Sequence, residues 1–256
     1  MRTDRILDLR YGLAGAAILV VGWWVVADTF FAQSKVVPSP AALVTQIGKD
    51  GPYYYLHQVA ITAGSAARGY VAGVGAALLL AAVVMIIPPL AGAAGQLALF
   101  VECAPAAAIG PVLLAVTTGR LPSILLAAIA VFFSTLVGAL LGLHSSRAVE
   151  HDIIAVYGGN RWDRFRKVRL PAAAPAVFAA LQIAVPSALL GAILGEYLGG
   201  VDSGIGVALA VASRDIQVQR TWIFGLSAAV VAAGGYGLMG VLRRVLLPWL
   251  PGSRRW

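Results

Sequence analysis

The sequence predicts an all-α, polytopic membrane protein with about six transmembrane helices, and three observations carry that prediction. Of its 256 residues, 60% are hydrophobic and only 12% are charged, whereas a soluble domain carries about 25% charged residues. The mean hydropathy is +0.86. The apolar residues fall into runs long enough to cross a bilayer, which takes about 20 helical residues, and Pro, Gly and Arg punctuate those runs. The formal charge of +8 resides in arginines beside the runs, where the positive-inside rule puts cytoplasmic flanks; it reads as topology and not as a nucleic-acid surface. The single cysteine, Cys103, lies in an apolar run and has no partner for an internal disulfide. No internal repeat marks a solenoid or a duplicated half.

Met1 to Tyr11 places Arg2, Arg5 and Arg10 among Ile6, Leu7 and Leu9, an amphipathic lead suited to the cytoplasmic face. A first span is expected from about Gly12 to Phe31, uncleaved because no small-x-small site follows it. Ala32 to Tyr55, with Pro38, Pro40, Gly51 and Pro52, reads as an outer connection holding a short helix between Pro40 and Lys49. The second span runs from His57 to about Ile87, where Pro88 and Pro89 break it. A third apolar segment, about Leu90 to Val116, contains Glu102, Pro105 and Pro111. A turn over Thr117 to Pro122 leads to a fourth span, about Ser123 to Leu143. After a polar loop, a fifth span covers about Ala172 to Tyr197, and a sixth about Thr221 to Leu247, followed by Arg254 and Arg255. Six spans put both termini and the loop 144–171 on the cytoplasmic side, where their positive charges agree; only the connection at Pro88 lacks basic residues. The chain reads as a single transmembrane domain, 1–256, with the lead and first span in 1–35 and the core spans in 56–250.

The stretch EHDIIAVYGGNRWDRFRKVRLPAAAP, Glu150 to Pro175, is too polar to stay in the bilayer and is the part with a task. Gly158 and Gly159 either offer bare backbone for the close approach of a partner or simply end a helix. Trp162, Phe165 and Val168 share a helical face, rimmed by Arg161, Arg164 and Lys167, that would lie in a partner's groove or on lipid. Asp152 stands near the start of the loop's first helix, where a negative charge supports the dipole.

This loop resembles the EAA loop of ABC-importer permeases: an acidic residue, two small residues, a Gly six positions after the acid, and a closing Leu-Pro that opens the next span. Asp152 stands in place of the Glu, Ile153 and Ile154 replace the two alanines, and Gly158, Leu170 and Pro171 match. Further likenesses extend over about residues 36 to 250. Val36 to Pro40 resembles the lPsP segment of permeases for sulfonates, taurine and nitrate, and Thr62, Arg68, Gly69 and Tyr70 sit where those proteins have Thr, Arg, Gly and Phe. Glu102, Pro105 and Pro111 resemble an R-x-x-P-x-x-x-x-x-P segment with Glu in place of Arg. Phe132 and Phe133 match a recurrent pair, although Ser134 and Gly138 replace its Pro and Asn; Gly204, Ile205 and Gly206 resemble the GLG that follows an acidic residue, here Glu196.

The resemblance implies a type I ABC-importer permease fold and a multi-pass protein of the bacterial plasma (inner) membrane. Its partners would be a second permease copy in a homodimer, two cytoplasmic ABC ATPase subunits and an extracytoplasmic solute-binding protein. ATP and Mg would be bound by the ATPases, with no cofactor on this chain. Asp152, Gly158, Gly159, Asn160, Arg161, Trp162, Phe165, Leu170 and Pro171 would couple to the ATPase. The cargo would be a small polar solute, sulfonate-, taurine- or nitrate-like or nitrogenous, moved by alternating access.

Carboxylates within spans are expensive and mark pathways by default. Glu196, in a stripe with Gly191, Gly195 and Gly199, reads either as part of the translocation path or gate, or as a structural hydrogen bond at a helix end. Glu102, with Pro105 and Pro111, is the other path candidate; no Arg or Lys stands at evident mid-membrane depth to partner it, and none is evident at the depth of Glu196. Enzyme readings are weak. There is no phosphate-cradling G-x-x-x-x-G-K-[ST], H-E-x-x-H or G-x-S-x-G, and His144 and His151 lack a further metal ligand. The rival from another class is a membrane-embedded hydrolase or lipid-modifying enzyme using Ser203 beside Asp202 and Gly204, for which no base is in reach.

Overall fold

Apolar runs that end at prolines and glycines become helices that end there, and among the described residues there is no strand. A computed structural model of the chain describes residues 2–247, with side chains described from residue 11 onward except at 13, 88, 148 and 151; Arg254 and Arg255 lie outside the described residues. The helices are α1 (Arg2–Thr29), α2 (Pro40–Asp50), α3 (Pro52–Ile86), α4 (Ala91–Cys103), α5 (Ala106–Val116), α6 (Leu121–Leu143), α7 (Ala148–Val156), α8 (Arg161–Arg164), α9 (Leu170–Leu198), α10 (Ile205–Arg214) and α11 (Val218–Leu246). Four helical stretches, 52–86, 121–143, 161–198 and 218–246, are long and apolar enough to cross a membrane. The protein is all-α and polytopic.

Two expectations change. The third apolar segment is not one straight span: α4 and α5 meet at an angle of 90°. Pro105 has no N–H to continue the ladder and disfavours the α conformation at Ala104, whose ψ is 120°. The bent pair is a fifth crossing if it counts as one span. The N-terminal lead and first span, expected as separate elements, form one helix that already runs at Arg2 and stops at Thr29, two residues short of Phe31. Its apolar part, Ala14–Thr29, is shorter than the others, and counting α1 as the sixth crossing restores the expected number.

The centre of the bundle is α6, which packs most extensively on α9 and next on α3. These interfaces are built from small residues that let backbones approach. A Cβ on Gly69 or Gly73 would collide with α6 at Ala127 and Ala128, and one on Gly191 or Gly195 would come within 2.6 Å of the Leu126 carbonyl or 2.5 Å of Ser123 Cα. Nearer the other end, Gly138 meets Ala180 and Gly142 meets Ala173. The pairings rise together along α3 and α6 and run opposite along α9, so α3 and α6 are parallel and α9 is antiparallel to both. One end of the bundle therefore carries the loop 144–169; the far end gathers the starts of α3 and α6 with the end of α9.

The far end is tied by polar contacts between elements. Asp50 closes α2 by accepting from Gln46 Nε2 at 2.9 Å, Tyr55 Oη and both Nε (2.9 Å) and Nη2 of Arg220. That guanidinium, hydrogen-bonded to it, holds the Asp50 carboxyl well below the usual carboxylate range. Trp222 stacks on Trp23 with centroids 5.9 Å apart and donates to the Val36 carbonyl at 3.1 Å, fastening α1 and its connection to α11.

Candidate functional site

The loop is two short helices and a turn, each end specified locally. Glu150 accepts the Arg147 backbone N–H at 3.1 Å and caps α7. The dipole support expected of Asp152 thus comes from Glu150, and Asp152 is exposed further along the helix. At the other end of α7, Gly158 N–H reaches Ala155 O at 3.0 Å and Gly159 N–H reaches Ile154 O at 2.8 Å, a Schellman closure. Gly158 has φ +71°, the left-handed conformation such a closure needs, with open space over its Cα; a Cβ on Gly159 would strike Ile154. Asn160 and Asp163 exchange backbone-to-side-chain bonds of 2.9 and 3.2 Å, a reciprocal cap for α8.

After α8 the chain does not break before the span. Phe165–Arg169 forms a π-helical turn that runs directly into α9. Pro171 fits this geometry, since in a regular turn its ring would clash with the carbonyl four residues back, to which it can donate no N–H, and a widened turn relieves the conflict. The expected common face of Trp162, Phe165 and Val168 is divided by that turn. Val168 is buried, Phe165 half-buried, and Trp162 stands 65% exposed with its ring 5.4 Å from that of Phe165. Leu170, Pro171 and Arg161 are exposed.

The second site is the buried carboxylate at the far end. Glu196 is 1% exposed. Its Oε2 accepts from Thr62 Oγ1 at 2.7 Å and from Gly206 N–H at 3.1 Å. Thr62 Oγ1 in turn accepts the Ile205 N–H at 2.7 Å, and Gly204 N–H donates to Gln58 Oε1. The start of α10 is thereby held by side chains of α3 and α9, which satisfy donors that no earlier helical turn can. Gly204 has φ +129°, and a Cβ there would fall on the Glu196 carboxylate. On the other side, Arg120 Nη1 lies 3.6 Å from Glu196 Oε1, while Nη2 donates to Ser203 O at 3.0 Å and Ser203 Oγ at 2.6 Å.

Arg120 is the residue that sequence reasoning missed: a cation does stand at the depth of Glu196. A signal for it existed. In a six-span topology Arg120 falls on the side opposite the basic loop, against the positive-inside trend, and a cation so placed calls for an anionic partner. Asp50 and Arg220, also unremarked in the sequence, obey the same logic. Glu102, by contrast, is exposed on α4 and joined to no cation among the described residues; Pro105 caps α5 and Pro111 lies within it. The structure does not bring Glu102 to Glu196. As for hydrolysis, Ser203 faces a guanidinium, which cannot accept its proton.

The profile of the binding-protein-dependent transport system inner membrane component family matches residues 69–250, most of the chain, from the middle of α3 through α6, α9 and α11. The chain belongs to that family. Comparison with curated proteins finds no match. As a member of a family of ABC-importer permeases that work with ATPases and a binding protein, this permease has two sites in context: a loop that stands out from the bundle at one end, and a buried carboxylate that ties helices at the other.

Proposed function

We propose that the chain is the membrane-spanning subunit of an ATP-driven importer, paired with a second copy of itself, with two cytoplasmic ATPases on its loops and an extracytoplasmic binding protein at the far end. ATP and Mg belong to the ATPases in this reading, and the chain itself catalyses nothing. The membrane is the bacterial inner membrane, with the loop and both termini in the cytoplasm. The observation that carries the proposal is the unbroken helical connection from the exposed Trp162 through the π turn into α9. A docked ATPase gripping that side chain moves a span, and alternating access requires contacts that differ between two such states.

Glu102 supplies the charged group of the path. An exposed carboxylate in an apolar segment is expensive against lipid, so it faces the second copy or a water-filled route between copies. A carboxylate there favours a neutral or cationic nitrogenous solute, whereas the likeness to sulfonate, taurine and nitrate permeases points to an anion; a zwitterion of the taurine kind meets both demands. Glu196, buried within one protomer, acts as a strut of the outer gate.

The test is reconstitution of the complete complex in vesicles with Trp162→Ala. Loss of an exposed aromatic anchor weakens ATPase association roughly tenfold or more and lowers solute-stimulated hydrolysis with it. Unchanged association and uptake would remove Trp162 from the docking surface and the coupling assignment with it.

A further inference from the structure

The loop end of the bundle holds a cavity of about 280 Å³ where α3 and α6 finish and the chain turns toward α9. Its wall is apolar, from Val84, Met85, Leu140 and Leu143, and its rim is basic, from His144 and Arg169; among the described residues no Asp or Glu lines it. Three basic side chains are paired with carboxylates, Arg220 with Asp50, Arg120 with Glu196 and Lys167 with Asp163 at 2.8 Å. Arg169 has no carboxylate within salt-bridge distance among the described residues. The His144 ring donates through Nδ1 to the Leu140 carbonyl at 2.7 Å, so its Nε2 meets a phosphate as a donor in the imidazolium form, or as an acceptor from a protonated phosphate oxygen.

From this geometry we propose that the cavity is a binding site for an anionic phospholipid, its phosphate between Arg169 and His144 and its glycerol against Leu140 and Leu143. Three features favour that occupant. The cavity opens at the level where apolar spans end, which is where headgroups lie. A basic pocket between helix ends suits an anionic headgroup, and zwitterionic lipid brings its own cation and gains less. The apolar wall gives the attached glycerol and chains a surface that a free phosphate ion cannot use. Because Arg169 closes the π turn that leads into α9, an occupant there also fixes the root of the loop.

The experiment is native mass spectrometry of the full-length protein purified with equimolar phosphatidylglycerol and phosphatidylcholine. The wild type is expected to retain phosphatidylglycerol preferentially. Arg169→Gln should lower that preference about fivefold, as expected for one basic residue at a membrane surface, and Arg169→Lys should keep it. Arg166→Gln, which removes a cation from the same turn outside the cavity, should leave it unchanged. Ala91→Trp, which fills the cavity from the start of α4, should abolish it and keeps the test decisive if Arg169→Gln does not fold. Equal retention of the two lipids by the wild type, an equal loss in Arg166→Gln, or displacement of the lipid by millimolar inorganic phosphate would each overturn the proposal.

Discussion

Replacing Glu196 separates a strut from a path residue, and the structure supplies the magnitudes. In Glu196→Gln the amide oxygen can keep the place of Oε2 and accept from Thr62 and Gly206, so the loss is confined to the negative charge opposite Arg120 at 3.6 Å. Arg120 retains its two bonds to Ser203 and is 28% exposed, so the expected cost is about 1–2 kcal/mol. Glu196→Leu leaves the Gly206 N–H unsatisfied and Arg120 unpaired as well, and about 3 kcal/mol is expected, the lower end for breaking a buried pair. Arg120→Gln combined with Glu196→Gln should cost less than the sum of the single changes, because each single change strands the other partner. Thermal midpoints of the solubilised protein measure all four variants, and uptake per assembled complex is followed in parallel. The strut is refuted if Glu196→Leu melts with the wild type, or if the single changes add within about 0.5 kcal/mol. Lost uptake by Glu196→Gln at an unchanged midpoint would place its charge in the path.

Gly158 admits a finer division between turn and docking. Asn tolerates the left-handed backbone at φ +71°, so Gly158→Asn should keep the loop but, by adding a side chain where a partner approaches bare backbone, impair ATPase association in a complex still inserted in the membrane; unchanged association in that variant would assign Gly158 to the turn alone. Asp50 predicts a pH dependence. Its carboxyl is depressed in the folded state by Arg220, so the stabilisation is complete above the unfolded value of about 4 and is lost as pH falls below it toward the folded value. Asp50→Asn should therefore lower the midpoint at pH 7 by an amount equivalent to about 2–3 kcal/mol, with a difference from wild type that shrinks on acidification; a constant difference down to pH 3 would show that Asp50 is not held ionised by Arg220.

Much of this architecture was legible because lipid imposes it. Spans α6, α9 and α11 begin and end within a few residues of their apolar runs, since a backbone in hydrocarbon has no alternative to the helix. Pro40, Pro52 and Pro122 mark helix starts for an equally local reason. The Glu196 site was half legible. Its acid and glycines stood out, but its cation is 76 positions away in sequence, and only the seating of Gly195 on Ser123 carries the start of α6 to the carboxylate. The partnership of Asp50 with Arg220 spans 170 positions and was hidden for the same reason. The right angle at Pro105 escaped because a proline in an apolar run is compatible with a kink as well as with a full break, and composition is the same for both.

The unbroken rod from Arg161 to Leu198 also sets a scale of movement. Its 38 residues extend about 57 Å at 1.5 Å per residue. Anchored near one extremity by the Thr62, Gly206 and Arg120 contacts, it has a fulcrum there, and a tilt of about 5° sweeps the opposite extremity through about 5 Å. Gearing of this kind works in both directions: a large stroke by an ATPase becomes a small, forceful rotation at the fulcrum, and a slight shift imposed there by a docking protein on the far side becomes a displacement large enough for an ATPase to register.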